Sequence, residues 1–407
     1  MKVLITHAGG QDLGLVFEQR RIVEVFPMEA DAVPFHPGDI ILGQVQDVAR
    51  PLKAAFIRLL PSGKEQAECG GPAYLALQDT LYPDARLVQG DLLPVQIIAE
   101  PSGAKPYRVT GRLSLAGKFS AVGYSIHGLQ TSRKLSGEQS GRLRNLVHEA
   151  ESSGIMNQCG IMIRTHAGML KEAEPLLTEI DSLQRKLRSI LQTAQTRTAG
   201  TILYRELSPV SLKLRDLSVE EMILDPASGL SLDAMNRAEQ AANEAGIPHR
   251  TYADPNGAVY LTVSGLSGSL ENLVKRRVYL KSGACLVIDR TEALCAIDVN
   301  SGKSGAHAGR GREAEDLRFA VNQEAAEEAF SQIRARNLSG MILIDFINMN
   351  PEHTELLGKQ LRQLCEFDPL PMSFVDFTGL GLAELTRKKT GKPLEEWWKP
   401  LDSRPAK

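Results

Sequence analysis

TEALCAIDVNSGK (residues 291–303) and SGMILIDFINMN (residues 339–350) are the two stretches whose reading decides the fold. Each is a short run rich in Ile, Val and Leu, the mark of a buried strand, with one aspartate where an apolar residue is expected. Strand side chains repeat every second residue, so Asp298 and Asn300 share a face. Asp345 sits within residues 341–347, whose other members are all apolar. A carboxylate left uncompensated in such a strand costs several kcal/mol. On these residues alone two partners answer it equally well: a magnesium ion that polarises a phosphodiester, or a nearby Arg or Lys in a salt bridge.

Outward from these runs the pattern alternates strand and helix. Apolar runs at 284–288 and 294–299 precede a helix over 313–336; the strand 341–347 precedes a helix over 352–367; residues 372–377 form a third core strand. This alternation predicts a sheet covered on both faces, with a site beyond the strand ends. Asp298 and Asp345 lie late in their strands, as such a site requires. Residues 300–304, NSGKS, end like a phosphate-binding loop, but the first Gly of G-x-x-x-x-G-K-S would fall on Ile297. A nucleotide-binding loop is therefore not expected. The glycine-rich stretch 301–311 is expected to be mobile, with Lys303 in reach of a phosphate.

The chain has 407 residues, too many for one ordinary core, so two to four domains are expected. Hydrophobic residues make up 43% and charged residues 24%, a globular balance. No apolar run approaches the roughly 20 residues that span a bilayer, and MKVLITHAGGQDLG lacks a signal-peptide core, so a cytoplasmic location without membrane contact is expected. Cys69, Cys159, Cys285, Cys295 and Cys365 are scattered, with no C-x-x-C pair, so reduced thiols are expected and a local zinc site is not. A net charge of −2 does not favour a phosphate binder, although three basic clusters stand out. They are Arg133-Lys134 with Arg142 and Arg144, Lys275-Arg276-Arg277, and Arg387-Lys388-Lys389; each reads as a solvated face or as a binding patch.

Residues 1–34 read as a β-meander too small to fold alone, which completes a sheet elsewhere. Residues 35–111 hold about five short strands punctuated by Gly and Pro, the pattern of a small OB-type barrel. Phe56 and Tyr74 fall on consecutive strands. They are either core or, with Lys105, a face that stacks bases and tracks a single-stranded backbone. Ser136 and Gln139 form a capping box for a helix to about 152. GIMIRTHAG is a strand that ends in Arg164 and Thr165, and Arg164 is either a surface residue or a forked anion donor. Leucines and isoleucines from Leu170 to Leu191 mark a long amphipathic helix. Residues 206–277 mix strands at 220–224 and 258–263 with a helix near 232–244. The tail from Gly391 is expected to be loose at its end.

At TEALCAIDVNSGK, RNLSGMILIDFINM and GLGLAELTRKK the chain resembles the ribonuclease E/G family of bacterial endoribonucleases, with VNQEAAEEAFSQIRARNL between the first two blocks. KRRVYLKSGACLVID, GIMIRT, LSLAG, LKAAF and MKVLI extend the resemblance over nearly the whole chain. It implies a multidomain α/β protein. Residues 1–34 with 206–277 would be an RNase H-like structural domain, 35–111 an S1 (OB-fold) domain, 112–205 a 5′ sensor and 278–395 a DNase I-like catalytic domain, with 396–407 as tail. It implies that Asp298 and Asp345 bind Mg²⁺ and that Asn300 helps hold the attacking water or phosphate. It assigns RNA contact to Phe56, Tyr74 and Lys105, and 5′-monophosphate sensing to Gly117, Arg164 and Thr165.

The implied activity is hydrolysis of single-stranded RNA, in RNA processing or decay, to 5′-phosphate and 3′-hydroxyl ends. Two acids and an amide suit one metal rather than two. The chain also departs from the family. No C-P-x-C follows Thr386-Arg387-Lys388, so a homodimer, if formed, is not expected to be linked by zinc. PSGKEQAECGG (residues 61–71) is an unusual insertion, Ala121 replaces a larger apolar residue in the sensor, and Asn348 replaces a common Asp. These changes bear on assembly and 5′-end dependence more than on catalysis. Two alternatives remain: an RNA-binding protein of the same fold without turnover, which retention of Asp298, Asn300 and Asp345 opposes, and a magnesium-dependent phosphoryl-transfer enzyme acting on a nucleotide, which the incomplete P-loop opposes.

Overall fold

Apolar residues that alternate with Gly and charge fold the N-terminal segment into three antiparallel strands, β1 (Lys2–Ala8), β2 (Gln11–Glu18) and β3 (Arg21–Pro27). The computed structural model describes residues 1–28, 34–59, 72–81, 86–101, 105–151, 159–301 and 312–400. The chain divides into two units, Met1–Glu29 with Pro209–Lys407, and Ala30–Ser208.

The Ala30–Ser208 unit begins with a barrel. Its strands are β4 (Ile40–Ala49), β5 (Ala54–Arg58), β6 (Ala73–Ala76), β7 (Leu92–Ala99) and β8 (Arg108–Thr110). They run in the order β4-β5-β6-β8-β7, and β7 closes back onto β4. Closure leaves no free edge among the five. Ile41, Val45, Ala55, Ile57, Leu75, Val95, Ile97 and Val109 fill the interior. The insertion at 61–71 lies outside the described residues.

The same unit continues with β9 (Ser114–Ala116), β10 (Ser120–Gly123), β11 (Leu129–Thr131) and β12 (Gly160–Ile163), in the order β11-β12-β10-β9. Helix Gly137–Glu151 starts at the expected capping box: the Gln139 N–H donates to Ser136 Oγ (3.2 Å) and the Ser136 N–H to Gln139 Oε1 (3.1 Å). Helix Glu174–Ala194 buries Leu176, Ile180, Leu187 and Ile190 against Val122, Ile161 and Ile163. Strand β13 (Ile202–Tyr204) then pairs with β4.

In the other unit, β14 (Glu221–Leu224) and β15 (His249–Thr251) extend the meander in parallel, giving the order β15-β14-β1-β2-β3. Helix Leu232–Ala245 is capped by Ser231, whose Oγ accepts from the Ala234 N–H (3.2 Å). Residues 258–263, expected as a strand, instead form the helical turn Tyr260–Val263. The Leu261 N–H points to the buried Asp225 carboxylate (3.4 Å), and the Leu261 side chain joins Leu266 and Leu270 in the core. Tertiary burial of one leucine thus overrides the β-propensity of its neighbours.

The last sheet contains β16 (Arg277–Tyr279), β17 (Cys285–Arg290), β18 (Leu294–Asn300), β19 (Gly340–Asp345), β20 (Met372–Phe377) and β21 (Ala383–Arg387). Their order is β16-β17-β18-β19-β21-β20; β18 and β19 run parallel and the other pairs antiparallel. Helices Arg312–Ala335 and Pro351–Phe367 cover one face, where Ala325, Ala329, Ile333, Leu357 and Leu361 pack on Cys295, Ile297, Val299, Ile342 and Ile344. The expectation of two covered faces is not met. Met341 (53% exposed) and Val375 (58%) lie on the other side, so it is largely open.

The end of the tail, residues 401–407, lies outside the described residues, and the part before it is anchored. After helix Leu394–Trp397, Trp398 is buried, and its Nε1–H donates to the Ala8 carbonyl (2.9 Å). Gly9 makes room for it, since a Cβ there would lie 2.3 Å from the Lys399 carbonyl oxygen. An ion triad centred on buried Glu24 joins the meander to the helices of its unit: Glu24 accepts from Lys213 Nζ (2.5 Å) and from Arg334 Nε (2.8 Å) and Nη2 (2.7 Å). Burial alone would raise the Glu24 carboxyl; the two cations outweigh it and hold it below the ordinary carboxylate range.

Stability from a depressed carboxyl is present above its unfolded pKa, about 4.3, and is lost as pH falls through the lower folded value. Glu24→Gln is expected to cost about 3 kcal/mol at pH 7 in urea unfolding, with the gap to wild type closing as pH drops below about 4. A gap that is constant with pH would contradict this role.

Candidate active site

The parallel pairing of β18 with β19 sets Asp298 directly opposite Asp345. Alternation along β18 sends Cys295, Ile297 and Val299 into the helix-covered core and leaves Asp298 and Asn300 on the open face. Both aspartates are exposed, which corrects the reading of two strands buried on both sides. Apolar residues on the open face, Met341 and Leu343 among them, give the runs their uniformly buried look.

Neighbouring strands lie about 4.8 Å apart, so the two carboxylates are close. Their repulsion is about 0.8 kcal/mol in watery surroundings. Among the described residues neither takes an ion pair, so the salt-bridge alternative finds no partner there. The Asn300 amide donates through Nδ2 to Asp298 Oδ2 (2.6 Å). That bond fixes the amide's orientation and leaves its oxygen as a third oxygen donor. Two carboxylates and an amide oxygen fit a hard divalent cation that keeps part of its water shell. No cluster of three or more His, Cys, Asp or Glu suited to a metal occurs among the described residues. Residues 302–311, with Lys303, lie outside them.

The turn after Asp345 is held by residues that the sequence reading did not single out. Asn322, fully buried in helix Arg312–Ala335, donates to the Ile347 carbonyl (2.7 Å) and accepts from the Ile347 N–H (3.0 Å). Glu315 accepts from the Asn350 N–H (2.5 Å), and Asn350 caps helix Pro351–Phe367 by accepting from the His353 N–H (2.8 Å). The segment that carries Asn348 is thus clamped at both ends.

On the barrel, Phe56 and Tyr74 stand opposite each other on β5 and β6, with ring centroids 6.4 Å apart in an edge arrangement. Their neighbours Ala55, Ile57, Ala73 and Leu75 face the core, so both rings lie on the barrel's partly exposed exterior and not in its interior. Exposed Lys105 lies two residues before Tyr107, whose carbonyl accepts from the Tyr74 N–H (2.8 Å). The structure thus brings Phe56 and Tyr74 together and places the backbone that leads into Tyr107, with Lys105 on it, near Tyr74.

Gly117 and Arg164 also come together. The Arg164 guanidinium donates through Nη1 to the Gly117 carbonyl, and the Arg164 N–H to the Phe119 carbonyl (2.8 Å). Thr165 is exposed, with its hydroxyl 2.8 Å from Ser132 Oγ. Two of the basic clusters each have one arginine taken up in an ion pair. Arg387 is buried in a pair with Asp368 (3.0 Å), and Arg276 pairs with Asp289 through two 2.6 Å bonds.

The fold is a mixed α/β one with a closed five-stranded OB-type barrel that fits an S1 domain. The sequence profile described as "Ribonuclease E/G family" matches residues 114–390. The chain is 30% identical to Ribonuclease E of Synechocystis over 88% of its own length and 53% of that protein. It is 29% identical to Ribonuclease E of Nostoc over 94% of its length and 56% of that protein. With Ribonuclease G of Escherichia coli K12 it shares 28% identity over 92% of its length and 77% of that protein. The chain belongs to the ribonuclease E/G family. It spans about half the length of the Ribonuclease E proteins of Synechocystis and Nostoc. No helix among the described residues is long and apolar enough to cross a membrane.

Asn322→Ala would leave the Ile347 peptide without its side-chain partners, a loss of about 1–3 kcal/mol. Hydrogen–deuterium exchange is expected to rise selectively over residues 346–350. Unchanged protection there would show that Asn322 does not hold the turn.

Proposed function

We propose that this chain is a magnesium-dependent endoribonuclease that hydrolyses single-stranded RNA to 5′-phosphate and 3′-hydroxyl ends, in RNA processing or decay. The observation that carries this reading is the Asp298–Asp345 pair in register on an open sheet face, with Asn300 bonded to Asp298. Asp298 and Asp345 would hold the ion, with the Asn300 carbonyl turned toward the same space. A bound Mg²⁺ would lower the pKa of the attacking water and neutralise charge building on the phosphate. The Asn322 and Glu315 clamps keep the turn after Asp345 in place, so the acids need not reorganise as RNA arrives.

The barrel holds the strand in this reading. Phe56 and Tyr74 offer ring faces to bases, with weak sequence preference, and Lys105 offers charge to the backbone. Gly117, Arg164 and Thr165 read a 5′-monophosphate, for which a guanidinium beside a hydroxyl is suited. The order β15-β14-β1-β2-β3 supports an RNase H-like structural domain from residues 1–34 with 206–277. Residues 278–395 act as the DNase I-like catalytic domain, 35–111 as S1, 112–205 as sensor and 396–407 as tail. The protein works in the cytoplasm without membrane contact, and any homodimer forms without a zinc link, since TGKPLEEWWKP (residues 390–400) stands where the family's C-P-x-C would fall.

Incubation with a 5′-monophosphorylated single-stranded oligoribonucleotide tests this. Cleavage is expected in Mg²⁺ and not in chelator, with losses of about a hundredfold or more in Asp298→Asn and in Asp345→Asn. Cleavage that survives both substitutions removes the site assignment, and binding without cleavage by the wild type removes the activity.

A further inference from the structure

Glu179 has no part in the reading above, yet its carboxylate takes four hydrogen bonds beside Arg164. It accepts from three successive backbone N–H groups, of Lys118 (2.8 Å), Phe119 (2.9 Å) and Ser120 (2.7 Å), and from Ser120 Oγ (2.8 Å). Consecutive N–H groups that converge in this way form an anion nest. Here the anion is supplied by the chain itself, from helix Glu174–Ala194. The nest is the turn between β9 and β10, closed by a bond from the Gly117 N–H to the Ser120 carbonyl (2.8 Å).

Two further contacts tie this turn to Arg164. The Arg164 guanidinium donates to the Gly117 carbonyl, and the Arg164 backbone N–H donates to the Phe119 carbonyl (2.8 Å). Gly117 itself leaves no space for a side chain: a Cβ would lie 2.3 Å from the Glu179 carboxyl carbon. Glycine is therefore required here by proximity to the carboxylate. Glu179 organises the turn, and the turn organises Arg164.

We infer that Glu179 is the positioning residue of the Gly117–Arg164–Thr165 pocket, fixing the plane in which Arg164 meets an RNA terminal phosphate. The inference rests on the proposed 5′-phosphate reading of that pocket. Four donors surround the carboxylate, so its charge is spent on the turn rather than on repelling the incoming phosphate. Because the nest is filled from within, the phosphate is left to the Arg164 and Thr165 side chains. Removal of the carboxylate would leave three converging N–H groups without an acceptor, the turn would relax, and Arg164 would lose its fixed partner.

The test is fluorescence anisotropy in chelator, which blocks cleavage, with one labelled single-stranded oligoribonucleotide bearing either a 5′-monophosphate or a 5′-hydroxyl. The full chain is compared as wild type, Arg164→Ala, Glu179→Ala and Glu179→Gln. Wild type is expected to prefer the phosphorylated strand, and Arg164→Ala to lose that preference. Glu179→Ala is expected to reduce the preference about tenfold, a difference of about 1.4 kcal/mol. Glu179→Gln, which keeps an acceptor oxygen, retains most of it. Acetate at high concentration, entering the vacated nest, restores part of the preference in Glu179→Ala, which a misfolded variant could not show. If Arg164→Ala loses the preference while Glu179→Ala keeps it in full, Glu179 has no positioning role. If wild type and Arg164→Ala bind both strands alike, the pocket reading fails and the inference falls with it.

Discussion

The catalytic reading of this chain depends on the parallel pairing of two strands, β18 and β19. One residue of slip between β18 and β19 would turn every side chain of one strand to the other face. Asp298 would then face its strand partner's core side, and the two carboxylates would separate. The register is locked by burial: Cys295, Ile297 and Val299 on one strand, and Ile342 and Ile344 on the other, have a place only against helices Arg312–Ala335 and Pro351–Phe367. The apolar face therefore sets the geometry of the polar one. Fully burying residues of this size stabilises the arrangement by about 1.5–3 kcal/mol each, far more than the repulsion between two exposed acids.

The same economy recurs where the backbone leaves the strands. Asn322 treats the Ile347 peptide as a strand would, with one donor and one acceptor, from within a helix. Glu179 treats the 117–120 turn as a bound anion would. In both places a buried or half-buried polar side chain spends its capacity on main-chain groups and so holds a loop that bears exposed, chemically useful residues. Loops held in this way lose little freedom when a ligand arrives, and that is the physical advantage of preorganisation.

Much of this was legible in the sequence. Period-two spacing placed Asp298 and Asn300 on one face, the capping box announced the helix at Gly137, and the close-set short strands marked the barrel. Other features were hidden for definite reasons. Ala296, Met341 and Leu343 are apolar yet face the open side, so the strands read as buried throughout and the acids as interior. Tyr260 and Val263 favour strands, but burial of Leu261 decided otherwise. The anchoring of Trp398 was not legible because its partner, the Ala8 carbonyl, lies at the opposite end of the chain. Asn322 and Glu179 escaped notice because each acts on main-chain atoms distant in sequence, and main-chain atoms carry no residue identity to read.

The central claim is that Asp298 and Asp345 share one divalent cation. A titration with Mn²⁺ followed by electron paramagnetic resonance tests it without RNA or turnover. The account predicts one bound ion per chain in the wild type, weaker binding when either aspartate becomes asparagine, and none when both do. Equal Mn²⁺ binding by the wild type and the doubly substituted protein would contradict it.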